Sequence, residues 1–228
     1  SPVATFVACN YNTPVDTRAF ESEAKRILKE VEKECGWMYE TLHTDSLTKG
    51  TINFSVWSDV FVCPNCSNEM TFWNVAVDKI GGEMLETWNC PGCNVRLAKN
   101  PKKESGALKA ERAVETFFDS VIGQTISRVK QEVVLINYSI NKKRFEKRPD
   151  SNDLSILRKI EQLDSARNFP INRMPEGDES RRNDDAGITH VHHFYTKRNL
   201  LVLANIWSEI LKSGNPRLKF WFTSALTW

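Results

Sequence analysis

Between Phe20 and Cys35 the apolar positions recur every three or four residues. Phe20, Ala24, Ile27, Leu28, Val31 and Cys35 form one stripe, and Glu21, Glu23, Lys25, Arg26, Lys29, Glu30 and Glu32 fill the opposite side. The pattern predicts an amphipathic helix that follows Pro14 and stops at Gly36. Ser1 and Pro2 supply a cap and a first-turn proline for a shorter helix carrying Val3, Phe6 and Val7. From Thr51 the period changes to two: Ile52, Phe54 and Val56 alternate with polar residues as a strand that continues through Trp57 and Phe61. Segments 69–73 and 84–88 read as strands on either side of a Gly81-Gly82 turn, and Val95-Arg96-Leu97 as a further strand.

Further along, 108–118 fits a helix or a strand, while 125–129 and 133–140 read as paired strands, the second buried. A helix is expected at 153–163 through Leu154, Leu157, Ile160 and Leu163. The charged, aperiodic stretch 168–189 reads as an exposed loop. Thr196 caps a helix with Leu200, Leu203, Ala204, Trp207, Ile210 and Leu211 apolar, closed by Ser213-Gly214, after which 218–222 reads as a strand. These elements describe an α+β protein.

Of six cysteines, four fall into two pairs, Cys63-Pro64-Asn65-Cys66 and Cys90-Pro91-Gly92-Cys93, with 23 residues between the pairs. Two thiolates three positions apart in a tight turn can face one ion, and two such turns complete a tetrahedral shell of four sulfurs. Cys63, Cys66, Cys90 and Cys93 are thus expected to ligate a structural zinc in a zinc ribbon. Iron in the same shell is the minor alternative, and a redox dithiol needs only one pair and a different fold around it. Cys9 and Cys35 read as small buried hydrophobes.

The formal charge of +2 conceals an asymmetry. Residues 1–93 hold 7 basic and 13 acidic groups, 94–150 hold 13 and 7, and 151–228 hold 11 and 9. The local excess centres on Lys142-Lys143-Arg144-Phe145-Glu146-Lys147-Arg148, and such an excess either attracts a polyanion or forms an ordinary solvated face. His190-Val191-His192-His193, followed by Lys197 and Arg198 at a helix start, leaves three readings open: a second metal site, packing of a loop, or contacts to phosphate or base. No Gly-x-Gly-x-x-Gly, no Gly-x-x-x-x-Gly-Lys loop and no Gly-x-Ser-x-Gly elbow occurs, so the residues alone define no active site. No apolar run approaches the roughly 18 residues of a membrane span, and no secretory leader pattern opens the sequence, so a cytoplasmic location is expected.

Longer words then bear on family. Ser1-Pro2-Val3-Ala4-Thr5-Phe6, Asn10-Tyr11-Asn12-Thr13-Pro14-Val15, Gly36-Trp37-Met38-Tyr39-Glu40-Thr41, Val56-Trp57-Ser58-Asp59-Val60-Phe61, Val134-Leu135-Ile136-Asn137-Tyr138, the stretch 173–182 and the stretch 187–200 resemble, in order, the zinc-ribbon-containing adenine-specific DNA methylases. The resemblance implies a central piece of an S-adenosylmethionine-dependent enzyme that methylates adenine in duplex DNA. It further implies a zinc ribbon inserted in a partial α/β methyltransferase-like framework.

The family's glycine-rich cofactor loop and its Asp-Pro-Pro-Phe/Tyr motif do not occur in this sequence. The chain alone is therefore expected to lack catalysis and to need the remaining methyltransferase segments as partners. The implied organisation is a helical lead-in over 1–50, the ribbon over 51–99, a β-rich basic segment over 100–150, and a helix-loop-helix-strand segment over 151–228. DNA contacts are expected from Lys142, Lys143, Arg144, Lys147 and Arg148, and from Arg173, Arg181, Arg182, His190, His192, Lys197 and Arg198. The alternatives are a non-enzymatic zinc-ribbon nucleic-acid-binding module and a structural insert for partner contacts.

Overall fold

A computed structural model of the chain describes residues 1–78, 81–102, 106–164 and 169–225. In chain order the elements begin with α1 (Pro2–Asn12), α2 (Thr17–Cys35), a 3-10 turn (Gly36–Tyr39), β1 (Glu40–Leu42), β2 (Lys49–Val62), β3 (Glu69–Thr71), α3 (Phe72–Ala76), β4 (Thr87–Asn89) and β5 (Arg96–Ala98). They continue with β6 (Leu108–Lys109), β7 (Glu111–Arg112), β8 (Val114–Asp119), β9 (Gln124–Val129), β10 (Gln131–Ile140) and β11 (Lys143–Lys147). Then come α4 (Ser151–Glu161), α5 (Asp178–Asp185), a 3-10 turn (Val191–Phe194), α6 (Lys197–Ser213) and α7 (Pro216–Ala225). Helix and sheet are mixed, as the α+β expectation requires, and no described helix is long and apolar enough to cross a membrane.

Two compact units interleave in sequence, one built from Ser1–Glu40, Ile156–Asn172 and Val191–Trp228, the other from Thr41–Ser155 and Arg173–His190. The first is helical. Asp16 caps α2 by accepting from the Arg18 and Ala19 amides, and Ala24, Ile27, Val31 and Cys35 are buried along one side of that helix. They pack with Leu201 and Ile210 of α6 and Leu218 and Phe222 of α7. Thr196 accepts from the Asn199 amide to start α6, and Gly214 closes it at φ 66°, a left-handed conformation that glycine adopts without steric cost. Segment 218–222 is helical rather than extended: Asn215 accepts from the Arg217 amide, Pro216 opens the helix, and Leu218 and Phe222 enter the core one turn apart. Cys35 is buried and accepts from Asn205 Nδ2 at 3.1 Å, whereas Cys9 is exposed, against expectation.

The second unit holds the sheets. Its main sheet runs β1-β2-β10-β11, with β3 and β7 paired to the far half of β2, beside a three-stranded sheet β4-β5-β6 and a hairpin β8-β9. The strands at 125–129 and 133–140 exist but do not pair with each other. β9 turns back on β8 through Gly123, and β10 lies between β2 and β11. The basic run is β11 itself, joined to β10 by Asn141 and Lys142, both at positive φ as a two-residue hairpin turn requires. Within 168–189, Asp178–Asp185 is helical, so that stretch is not simply a loop.

Tyr138 is the largest fully buried side chain, its hydroxyl 2.6 Å from His43 Nδ1 and its ring stacked on Phe145. Gly50 lets that ring lie against the backbone of β2. A Cβ at position 50 would sit 2.6 Å from Tyr138 Cδ2 and 3.1 Å from Ile140 Cγ1. Gly50→Ala is therefore expected to destabilise this unit by about 1–3 kcal/mol, read as a lower urea midpoint at unchanged slope.

Candidate metal centre and basic surfaces

Two hairpins carry the paired cysteines. β2 runs into Cys63 and returns as β3, and β4 runs into Cys90 and returns as β5. The turns have the same backbone. Cys63 N–H donates to Asn68 O and Cys63 O accepts from Ser67 N–H, at 3.0 and 2.9 Å, and Cys90 repeats this with Val95 and Asn94 at 2.9 and 2.8 Å. Ser67 and Asn94, at φ 59° and 61°, take the left-handed position in each turn. Gly92 fits between them, because a Cβ there would lie 3.2 Å from Asn68 Cβ and 3.4 Å from Cys66 Sγ.

The four sulfurs converge. Cys63 Sγ is 3.7 Å from Cys93 Sγ, Cys66 Sγ is 3.6 Å from Cys90 Sγ, and all four lie within 4.8 Å of one another. A tetrahedron with zinc–sulfur bonds of about 2.3 Å has edges of about 3.8 Å, so the spacing fits one ion shared by the set and is too long for disulfides. Cys63, Cys66, Cys90 and Cys93 can thus hold a metal ion such as zinc, and four sulfurs leave no position for substrate.

Their proton affinities diverge as expected for thiols sharing one space. Cys93 is lowered to about 6 by hydrogen bonds from the Asn65 side chain and the Val95 amide. Cys66 receives a bond from the Asn68 amide that favours its thiolate, but its neighbouring cysteines, with Cys93 foremost, outweigh it and push the thiol up to about 12. A bound cation would reverse that repulsion.

An aromatic core packs against the buried cysteines. Trp88 meets Phe61 and Phe72 edge-on at 5.8 and 5.3 Å, the two phenylalanine rings are tilted at 5.7 Å, Trp88 Nε1 donates to Met70 Sδ at 3.4 Å, and Lys99 Nζ sits 3.5 Å from the Phe72 ring centre. Here the structure departs from the expected strands at 69–73 and 84–88. β3 ends at Thr71, and Phe72 and Ala76, both buried, follow at helical spacing in α3, whose Trp73 amide donates to Ser58 Oγ. β3 and β4 do not pair with each other; each pairs across its own cysteine turn. At the Gly81-Gly82 turn Gly82 N–H donates to Asp78 O at 2.8 Å and Asp78 N–H donates to Glu83 O at 2.9 Å.

The candidate DNA contacts separate into two groups. Lys142, Lys143, Arg144 and Arg148 are exposed on or beside the β10-β11 hairpin, and among the described residues no ion pair engages them. Lys147 differs from that expectation. Its side chain is 6% exposed and reaches Asp150 and Asp153 at 2.6 and 2.9 Å and the Leu42 carbonyl at 2.7 Å, so it is spent on internal partners.

The arginines of 173–182 are also engaged. Arg173 forks onto Asp184 at 2.8 and 3.0 Å and donates to Thr189 O, which ties the two ends of the segment together. Arg181 and Arg182 pair with Asp178 and Glu179 one turn away on α5, which carries four carboxylates against two arginines and so presents no basic face. His190 bridges to Arg173, and His192, buried beside His193 and Phe169, lies in the 3-10 turn Val191–Phe194, so the extended segment that would put the two on one face is not formed. Lys197 and Arg198 open α6 half-buried, with the Arg198 guanidinium 5.2 Å above the Tyr39 ring.

No family model, curated protein or solved structure matches the chain.

Proposed function

We propose that this chain is the zinc-bearing, DNA-contacting part of an adenine-specific DNA methyltransferase, with a structural zinc held by Cys63, Cys66, Cys90 and Cys93. The family reading rests on the resemblance of its longer sequence words. The surface reading rests on one observation: Lys142, Lys143, Arg144 and Arg148, exposed and without an ion pair among the described residues, lie on or beside the sheet whose strand β2 ends in the first cysteine turn. A metal that fixes the end of β2 also fixes the strand against which β10 and the basic hairpin are aligned. Methyl transfer from S-adenosylmethionine would need the cofactor loop and the Asp-Pro-Pro-aromatic motif, which this sequence does not contain. The contribution of these residues is therefore grip and placement of DNA.

The test is fluorescence anisotropy of the zinc-loaded chain on a labelled duplex at several salt concentrations. The logarithm of affinity is expected to fall linearly with the logarithm of salt, by about 0.9 per phosphate engaged. The triple change Lys142→Ala, Lys143→Ala and Arg144→Ala should weaken binding and flatten that slope, whereas Arg181→Ala with Arg182→Ala should leave both nearly unchanged. Absence of binding at low salt, or indifference to the triple change, would overturn the proposal.

A further inference from the structure

On one face of the sheet formed by β2, β10 and β11 the exposed Phe54 ring stands among amides and cations. Its exposure comes from a bulge. Tyr138 faces Ile52 and Asn137 faces Phe54, so Asn53 is an extra residue in β2, and the alternation that buries Ile52 at 5% leaves Phe54 51% exposed. Around Phe54, Asn53 Nδ2 donates to Asn137 Oδ1 at 2.8 Å and to Ser139 Oγ at 2.9 Å, and Asn137 Nδ2 donates to Glu146 Oε1 at 3.0 Å. Arg144 lies across from Ser139 in the next strand, Lys142 occupies the turn, and Arg148 follows β11.

Resting on the DNA-binding reading above, we infer that this face takes an unpaired stretch of a DNA strand, with phosphates on Lys142, Arg144 and Arg148 and a base against Phe54. Charge favours a polyanion here. The three cations have no acidic partner among the described residues, and Glu146, which stands near them on this face, already accepts from Asn137. The ring selects the form of the nucleic acid, since a flat π surface gains little from a duplex whose bases are stacked inside but stacks readily on an unpaired base of any sequence.

The experiment uses the zinc-loaded full chain with a labelled single-stranded oligonucleotide and the perfectly paired duplex of the same sequence. Phe54→Ala is expected to weaken single-strand binding about tenfold while leaving duplex binding within about twofold. Phe54→Trp should retain or tighten the single-strand complex, which a merely unfolded variant could not do. Arg144→Ala with Arg148→Ala should weaken both complexes and reduce the single-strand salt slope by about 0.7 per lost contact. If the wild type binds DNA but Phe54→Ala changes nothing, or changes both complexes equally, this face is not the strand site and the broader proposal stands. If the wild type binds neither form, both readings fall.

Discussion

Cys63→Ser or Cys90→Ser is expected to abolish metal binding and to unfold the cysteine-bearing end of the sheet-bearing unit. Both side chains are at most 2% exposed, and both anchor turns in which the cysteine backbone makes two hydrogen bonds. A metal held there would join two hairpins that share no strand pairing among the described residues, so its loss would remove a crosslink as well as a filled site. Structural zinc supplies about 10–16 kcal/mol of apparent folding free energy in isolated fingers. Here the core of Phe61, Met70, Phe72, Trp88 and Leu97 carries part of the load, and a smaller loss follows.

Wild-type protein should contain close to one equivalent of zinc by elemental analysis, and a chelator should lower its melting temperature but leave that of Cys63→Ser unmoved. Metal affinity should also fall on acidification, because protons compete for the thiolates. Cys93, lowered to about 6, binds metal at little proton cost near neutrality, whereas Cys66, pushed up to about 12, must release a proton. A wild-type protein that melts identically with and without metal would refute the structural role.

The second large effect is expected at a buried ion pair. Asp153 is 2% exposed at its side chain, sits 2.9 Å from Lys147 Nζ, accepts from Thr41 Oγ1 at 2.6 Å and accepts from the Asp150 amide at 3.0 Å. Asp153→Ala leaves Lys147 with Asp150 as its remaining acidic partner and strips two donors of their acceptor, which should cost about 3–5 kcal/mol in urea unfolding. Replacing both charges, Lys147→Met with Asp153→Leu, should recover much of that loss, because an apolar pair carries no desolvation penalty. Arg181→Ala serves as the contrast: the arginine is 76% exposed and its partner Asp178 91%, so the change should stay within about 0.5 kcal/mol. A loss of under about 1 kcal/mol for Asp153→Ala would show that water relieves the buried charge.

The long helices and the metal ligands were legible because their signals are local. The stripe from Phe20 to Cys35, the Thr196 cap with Gly214 beyond the last turn, and two Cys-Pro-x-Cys turns each specify their geometry within a few residues. The same local signals occur at Asn215-Pro216 and between Phe72 and Ala76. There, clustered aromatic residues favour a strand reading, although buried positions four apart favour a helix.

Composition, cysteine spacing and hydrophobic period by themselves settle that this is a mixed helix-and-sheet protein with one four-sulfur site and a basic hairpin sequence. Only the tertiary structure decides which charges face outward. Lys147 differs from Arg144 and Arg148 because the start of α4 brings Asp150 and Asp153 against it, and Arg173 is engaged because Asp184 lies one fold of the chain away. The parity of β2 is likewise beyond sequence. Strict alternation puts Ile52 and Phe54 on one face, but pairing with β10 extrudes Asn53 as a bulge, and that one-residue shift turns Phe54 from the core toward solvent. Strand register depends on a partner about 85 positions away in the chain, as the contact from Asn53 to Asn137 shows, and no local pattern encodes it.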